Sequence, residues 1–160
     1  MGQIGKFRGK KLNSAVLSFY GEYDHKVDLQ GRISLPSRFK ELFKGGIVLG
    51  RGYDRNIDAW PFIEWEAYVK QVTAKLSLNL PKHRDMMRFH IGGAYHFDMD
   101  RQGRVLLPPR LREGAGIDEE VVLVGMGVHL EIWSRELWEE KRDMVDEDAA
   151  TIAETLGNLE

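Results

Sequence analysis

The sequence predicts an α+β, β-rich fold made of two tandem copies of one small unit, with short helices flanking the strands. Three observations predict it. The phrase DLQGR at 28–32 recurs as DRQGR at 100–104, 72 residues further on. The surroundings recur with it: YDHKVDLQGRISLPSRF (23–39) aligns without a gap on YHFDMDRQGRVLLPPRL (95–111). Apolar residues on either side of each phrase alternate with polar ones, which is the period of a half-buried strand. Each copy is too short to bury a good core alone, so the two are expected to supply each other's.

Taken in order, Tyr23, His25 and Val27, like Tyr95, Phe97 and Met99, read as the first strand of each copy. Asp-x-x-Gly follows: Asp28 and Asp100 suit the first position of a type I turn, and Gly31 and Gly103 the fourth, so each phrase is expected to close a hairpin. Ile33 and Leu35, like Val105 and Leu107, form the return strand. Pro36 and Pro108 fit the first turn of a short helix, with Phe39, Leu42 and Phe43 as its apolar side in the first copy and Gly114 and Gly116 as its stop in the second. A second hairpin is expected around GRG (50–52) and GMG (125–127), with strands near 47–49, 57–60, 121–124 and 130–133. A helix then closes each copy. Trp65, Tyr68, Val69 and Val72 keep helical spacing in the first; in the second Ser134 is the expected N-cap, with Leu137, Trp138, Lys141 and Val145 behind it. SLNLPKH between the copies reads as a linker and RDMMRFHIGG as one more short helix. The expected organisation is an N-terminal flexible extension (1–18), a first repeat (19–76), a linker with a short helix (77–94), a second repeat (95–145) and an acidic tail (146–160).

Of the 160 residues, 42% are hydrophobic and 30% charged, an ordinary soluble composition. There is no cysteine, which excludes disulfides and thiolate metal sites. No apolar run is long enough to span a bilayer, and no cleaved leader is expected in the first residues. The net charge of −2 hides an uneven distribution. Residues 1–18 carry Lys6, Arg8, Lys10 and Lys11 and no acid, residues 134–160 carry nine acids against three bases, and the body between is neutral. Local basic patches therefore remain open to a polyanionic partner.

Arg32 and Arg104 are the leading candidates for chemistry. Each starts a return strand and faces away from the apolar set, which holds a guanidinium ready for a phosphate or a guanine edge. The competing reading is a turn arginine paired with the aspartate four residues back, and the two readings are compatible. Asp28 and Asp100 could form a general acid–base pair, but turn formation explains both. His96, Asp98 and Asp100 alternate on one strand and resemble metal ligands; the matching positions Asp24, Lys26 and Asp28 place a lysine in the middle, which argues against a metal. His83 and His90 lack a third ligand. GRG and GMG lack the longer spacing of a phosphate-binding loop. Trp60, Trp65, Trp133 and Trp138 are repeat-matched and read as packing anchors.

YGEYDHKVDLQGRISLPSRF, AYHFDMDRQGRVLLPPRLREGAGI and VVLVGMGVHLEIWSRELW resemble the MraZ family of bacterial transcriptional regulators, within the larger AbrB-like group, over roughly 19–145. The resemblance implies two tandem AbrB-like swapped-hairpin units, a double-split barrel. It implies a homo-oligomeric ring of eight or more chains that binds direct repeats in double-stranded promoter DNA of the division and cell-wall gene cluster, as a repressor. It implies a cytoplasmic, nucleoid-associated protein that is no enzyme, with no cofactor, metal, membrane or small-molecule substrate. The D-x-x-G-R arginine of that family is the DNA-contacting residue and maps onto Arg32 and Arg104, with Lys26, Arg38 and Arg110 as lesser candidates. Residues 1–18 stand outside the family pattern. Two alternatives stay open: an antitoxin-like AbrB-type regulator whose acidic C-terminal segment binds a toxin, and a metal or acid–base enzyme.

Overall fold

A computed structural model describes residues 18–157 of the chain. The basic cluster Lys6, Arg8, Lys10 and Lys11, expected in a flexible extension, lies outside the described residues. The fold is α+β, with the repeat visible element by element. In the first copy, β1 (Glu22–Lys26) and β2 (Arg32–Ser34) precede the short helix α1 (Ser37–Lys40), a 3-10 turn at Glu41–Phe43, and the hairpin of β3 (Ile47–Arg51) with β4 (Ile57–Pro61); helix α2 (Phe62–Thr73) closes it. Helix α3 (Pro81–Met87) runs into a wider π-helical turn at Arg88–Gly92. The second copy repeats the order with β5 (Tyr95–Phe97), β6 (Arg104–Leu106), α4 (Pro109–Gly114), β7 (Glu120–Gly125), β8 (Leu130–Ser134) and α5 (Arg135–Gly157).

The copies interleave. Six strands form one sheet in the order β1-β7-β8-β4-β3-β5, and β2 pairs with β6 in a separate two-stranded ladder. The hairpins expected around the glycine turns form, β3 with β4 and β7 with β8. The hairpins expected at Asp-x-x-Gly do not. β1 pairs antiparallel with β7 of the other copy, β5 with β3, and β2 with β6. The reason is burial. A three-residue return strand makes few ladder bonds with any partner, so its place is set by where its apolar face is covered. Ile33 and Val105 reach near-complete burial against the shared core. Matching alternation in both copies lets a strand of either complete the other's edge.

The long strands are apolar on both faces. Val121 and Leu123 of β7 enter the main core, with Ile33, Phe39, Phe43, Leu49, Ala59 and Leu130. Val122 and Val124 point to the opposite face, where Trp133, Trp138 and Leu137 cover them. The indole N–H of Trp138 donates to Glu22 of β1 at 2.7 Å, and Arg142 reaches the same carboxylate at 3.2 Å, so α5 of the second copy clasps the first strand of the chain. Ser134 caps α5 as expected, its Oγ accepting from Leu137 N at 3.1 Å. The helix then runs past Val145 to Gly157, through most of the segment set apart as an acidic tail. DEDAATIAETL contains alanine, glutamate and leucine and no proline, so nothing stops the helix before the glycine.

Candidate nucleic-acid interface

The two motif turns are built alike. Asp28 Oδ1 accepts from Gln30 N at 2.8 Å and from Arg32 N at 2.9 Å. Asp100 Oδ1 accepts from Gln102 N at 2.9 Å and from Arg104 N at 2.8 Å. Gly31 (φ +83) and Gly103 (φ +71) take the left-handed backbone that ends each turn. The turns are also braced across the copies: Leu35 N donates to Gly103 O at 3.1 Å, and Leu107 N donates to Gly31 O at 2.9 Å. The backbone N–H of Arg32 holds the Asp28 carboxyl below its ordinary range, and the backbone N–H of Arg104 does the same for Asp100.

This frame positions the arginines. Across the β2–β6 ladder Arg32 lies opposite Leu106 and Ser34 opposite Arg104, so the two arginines sit on a diagonal. The alternation that buries Ile33 and Val105 turns both arginines to the other face. Arg104 Nε is 3.0 Å from Asp100 Oδ2; Arg32 Nε is 4.0 Å from Asp28 Oδ2, and its Nη2 bonds Gln30. The arginine side chains keep 28% and 31% of their surface open for Arg32 and Arg104 respectively. Both line one cleft of about 420 Å³, whose wall includes Gln30, Phe97, Asp100 and Leu106. Two guanidiniums pre-oriented on a rigid two-stranded ribbon are suited to phosphate oxygens and to the O6/N7 edge of guanine.

The lesser candidates lie elsewhere. Lys26 is opposite Glu120 on the β1–β7 ladder and lines a separate cleft with Asp118, Glu119 and Glu136. Arg38 on α1 hydrogen-bonds Tyr23 Oη. Arg110 on α4 faces a third cleft, with Arg51, Arg88 and Tyr95. The ribbon thus brings together Arg32 and Arg104 and leaves Lys26, Arg38 and Arg110 outside their cleft. His96 stacks on Phe62, with centroids 4.3 Å apart at 4°, while Asp100 caps its turn, so their side chains serve structure. His83 Nδ1 accepts from Ser77 N, and His90 Nε2 meets Tyr53 Oη at 2.6 Å, so the two histidines have separate partners.

A cluster that the sequence reading did not pick out lies on the other side of the sheet. Asp58 of β4 faces Glu131 of β8, and with His129 their ligand-type atoms lie within 4.8 Å of one another. Burial, then the charge of Glu131, pushes Asp58 up to about 7; burial pulls His129 down to about 4. The ligand types would suit a divalent cation; the two carboxylates already accept hydrogen bonds from protein, whereas the buried His129 Nδ1 has no hydrogen-bond partner among the described residues. Asn56 Nδ2 donates to Asp58 at 2.7 Å, Trp133 Nε1 donates to Glu131 at 2.9 Å, and His129 stacks on Trp60. Asp58 and Glu131 hold matching places in IDAW and LEIW, the one sequence signal for this pair.

Comparison with known proteins gives one answer. A family model described as "MraZ protein, putative antitoxin-like" matches twice, over 18–89 and 90–157. A protein named Transcriptional regulator MraZ from Roseiflexus castenholzii is 36% identical over 88% of this chain and 98% of its own length. Proteins of the same name from Thermomicrobium roseum and Syntrophomonas wolfei are 38% and 39% identical, each over 88% of this chain and nearly all of their own.

Proposed function

The chain belongs to the MraZ family, and from that premise we propose that it is a DNA-binding transcriptional regulator whose β2–β6 ribbon docks on duplex DNA through Arg32 and Arg104. The observation that carries this reading is the diagonal placement of two turn-anchored arginines in one cleft. A two-stranded ribbon fits the major groove, where arginine reads guanine and contacts phosphate. The target is a set of direct repeats in the promoter of the division and cell-wall gene cluster, and the outcome is repression. The chain acts as a homo-oligomeric ring of eight or more copies in the cytoplasm, on the nucleoid, without enzymatic activity. Its two sheet edges, β1 and β5, are available for assembly. Many arginine pairs on one ring would gain avidity from effective concentration. No described helix is long and apolar enough to cross a membrane.

The test is anisotropy binding to the repeat-containing promoter fragment over a salt series. Arg32→Ala with Arg104→Ala should weaken binding by ten-fold or more, and should flatten the slope of log K against log salt by about 2 for each chain that contacts the duplex. Unchanged affinity and slope in the double variant would sink this reading.

One observation favours a second role beside it. α5 exposes Met144, Val145, Ile152 and Leu156 on an acidic helix, a surface on which an antitoxin-like chain could hold a basic toxin. Co-purification of a small basic protein, lost on truncation after Val145, tests it.

A further inference from the structure

We infer that the cleft lined by Arg51, Arg88 and Arg110 is a second phosphate-binding site, distinct from the Arg32–Arg104 cleft. It has a volume of about 370 Å³, and Gly92, Gly93 and Tyr95 form much of the remaining wall. No carboxylate lines it. Arg51 and Arg110 have no ion pair among the described residues, and the Arg88–Asp85 contact of 2.8 Å lies between strongly exposed side chains, where pairing is weak. Arg51 is nonetheless fixed: its Cζ lies 4.6 Å from the Phe89 ring centroid. A Cβ on Gly93 would come within 2.9 Å of Arg51 Nε, so the glycine leaves the guanidinium its room. Three guanidiniums around one small space repel each other, and a bound phosphate replaces that repulsion with charge-assisted hydrogen bonds to planar forks.

The position suits the phosphate of a nucleic-acid backbone. Tyr95 lines this cleft and Phe97 the Arg32–Arg104 cleft, and their rings stack 6.4 Å apart at 7°. The two clefts therefore share one aromatic wall on one face of β5. At about 3.3 Å per residue their anchor positions are roughly 7 Å apart. A duplex seated on the ribbon brings backbone phosphates past the second cleft, whereas free phosphate or a nucleotide offers the same chemistry. The repeat-related position lacks the site, since Met126 stands at the place matched to Arg51, and Arg38, matched to Arg110, bonds Tyr23. The site itself does not depend on the proposed DNA-binding role; only its DNA-backbone source does.

Calorimetric titration of the full chain with inorganic phosphate, at constant ionic strength, tests the site. Saturable binding is expected in the wild type and in Arg32→Gln/Arg104→Gln, with roughly ten-fold weaker binding in Arg51→Gln/Arg110→Gln. Phosphate-dependent shifts of the Arg51 and Arg110 Nε–H resonances in the wild-type chain read the same contact without substitution. No saturable binding, or no shift at those two resonances, overturns the proposal. So does a changed oligomer mass in Arg51→Gln/Arg110→Gln with phosphate affinity intact, because the arginines would then be a seam between chains. With phosphate binding established, the promoter-DNA salt slope separates the sources. A slope flattened by about 2 per DNA-contacting chain in Arg51→Gln/Arg110→Gln assigns the cleft to backbone phosphate, and a wild-type slope assigns it to free phosphate or nucleotide. Loss of DNA binding in Arg32→Gln/Arg104→Gln alone bears on the ribbon, not on this site.

Discussion

Ile33 and Val105 face each other at the midpoint of the β2–β6 ladder, one residue from Arg32 and Arg104 on either side. They are 0% and 4% exposed, so the residues flanking the two candidate arginines are pinned into the common core. Whatever moves this pair moves the arginine diagonal.

Ile33→Ala should therefore cost about 2–4 kcal/mol of unfolding free energy, and Val105→Ala about 1–3. Because the side chains are directly opposed, the double variant should depart from additivity by about 0.5 kcal/mol or more. Urea denaturation of the three variants measures it. Strict additivity would mean that the two copies do not share this core.

Gly103→Ala places a side chain at φ +71 and a Cβ 2.4 Å from Lys40 Cε, so it adds backbone strain to a clash with a flexible stem. A loss of about 1–2 kcal/mol is expected. Gly31→Ala, at φ +83 with ordinary contacts to Arg112 and Leu106, should cost less, about 1 kcal/mol. Thermal melts of both variants rank them, and equal melting points with the wild type would contradict the left-handed turn.

Asp28 and Asp100 should titrate below 3.8, since each carboxylate accepts backbone N–H groups in its charged form. A depressed carboxyl supports the fold above its unfolded range and loses that support as pH falls through its folded value. The turn bonds should therefore persist to acid below the ordinary aspartate range. Carboxyl-detected NMR titration checks this. Arg104→Gln should raise Asp100 toward its ordinary value, and a midpoint above 3.8 in the wild type would refute the turn assignment.

Asp58 behaves in the opposite sense. Its carboxyl lies near 3.8 unfolded and is pushed up to about 7 folded, so the folded chain binds the proton more tightly. That contribution is full below the unfolded value, shrinks as pH rises through the window, and is lost above about 7. His129, pulled down to about 4, runs against it, favouring the fold as pH rises from there to 6.5. Asp58→Asn keeps an acceptor for Asn56 and removes the buried charge. It should stabilise the chain by roughly 2 kcal/mol at about pH 8, with the gain fading toward about pH 5. Urea midpoints across that range decide it; a gain independent of pH would place its cause outside this carboxyl.

Much of the architecture was legible residue by residue. The glycine hairpins, the strands around Ile47 and Val121, the Ser134 cap and the packing role of Trp60, Trp133 and Trp138 follow from alternation, turn chemistry and repeat matching. The candidate site was legible as far as Arg32, Arg104 and the aspartates that hold them. The Asp58–Glu131 pair and the Arg51–Arg88–Arg110 cleft were not: the matched places of Asp58 and Glu131 in IDAW and LEIW do not say that β4 pairs with β8, and the three arginines come from different elements that share no local pattern.

The sequence by itself determined that the chain is a duplicated β-rich unit, which stretches are strand or turn, and that each motif turn is followed by an outward arginine. The duplication is written in the repeated phrase, and the strands and turns come from interactions between residues a few positions apart. The tertiary structure alone decided which strands pair. β1 and β2 flank the same turn, yet one joins β7 and the other β6. Alternation specifies a buried face without naming the partner, and two copies with the same alternation offer two partners. The choice falls to the arrangement that covers both Ile33 and Val105, and that choice sets Arg32 beside Arg104 in one cleft.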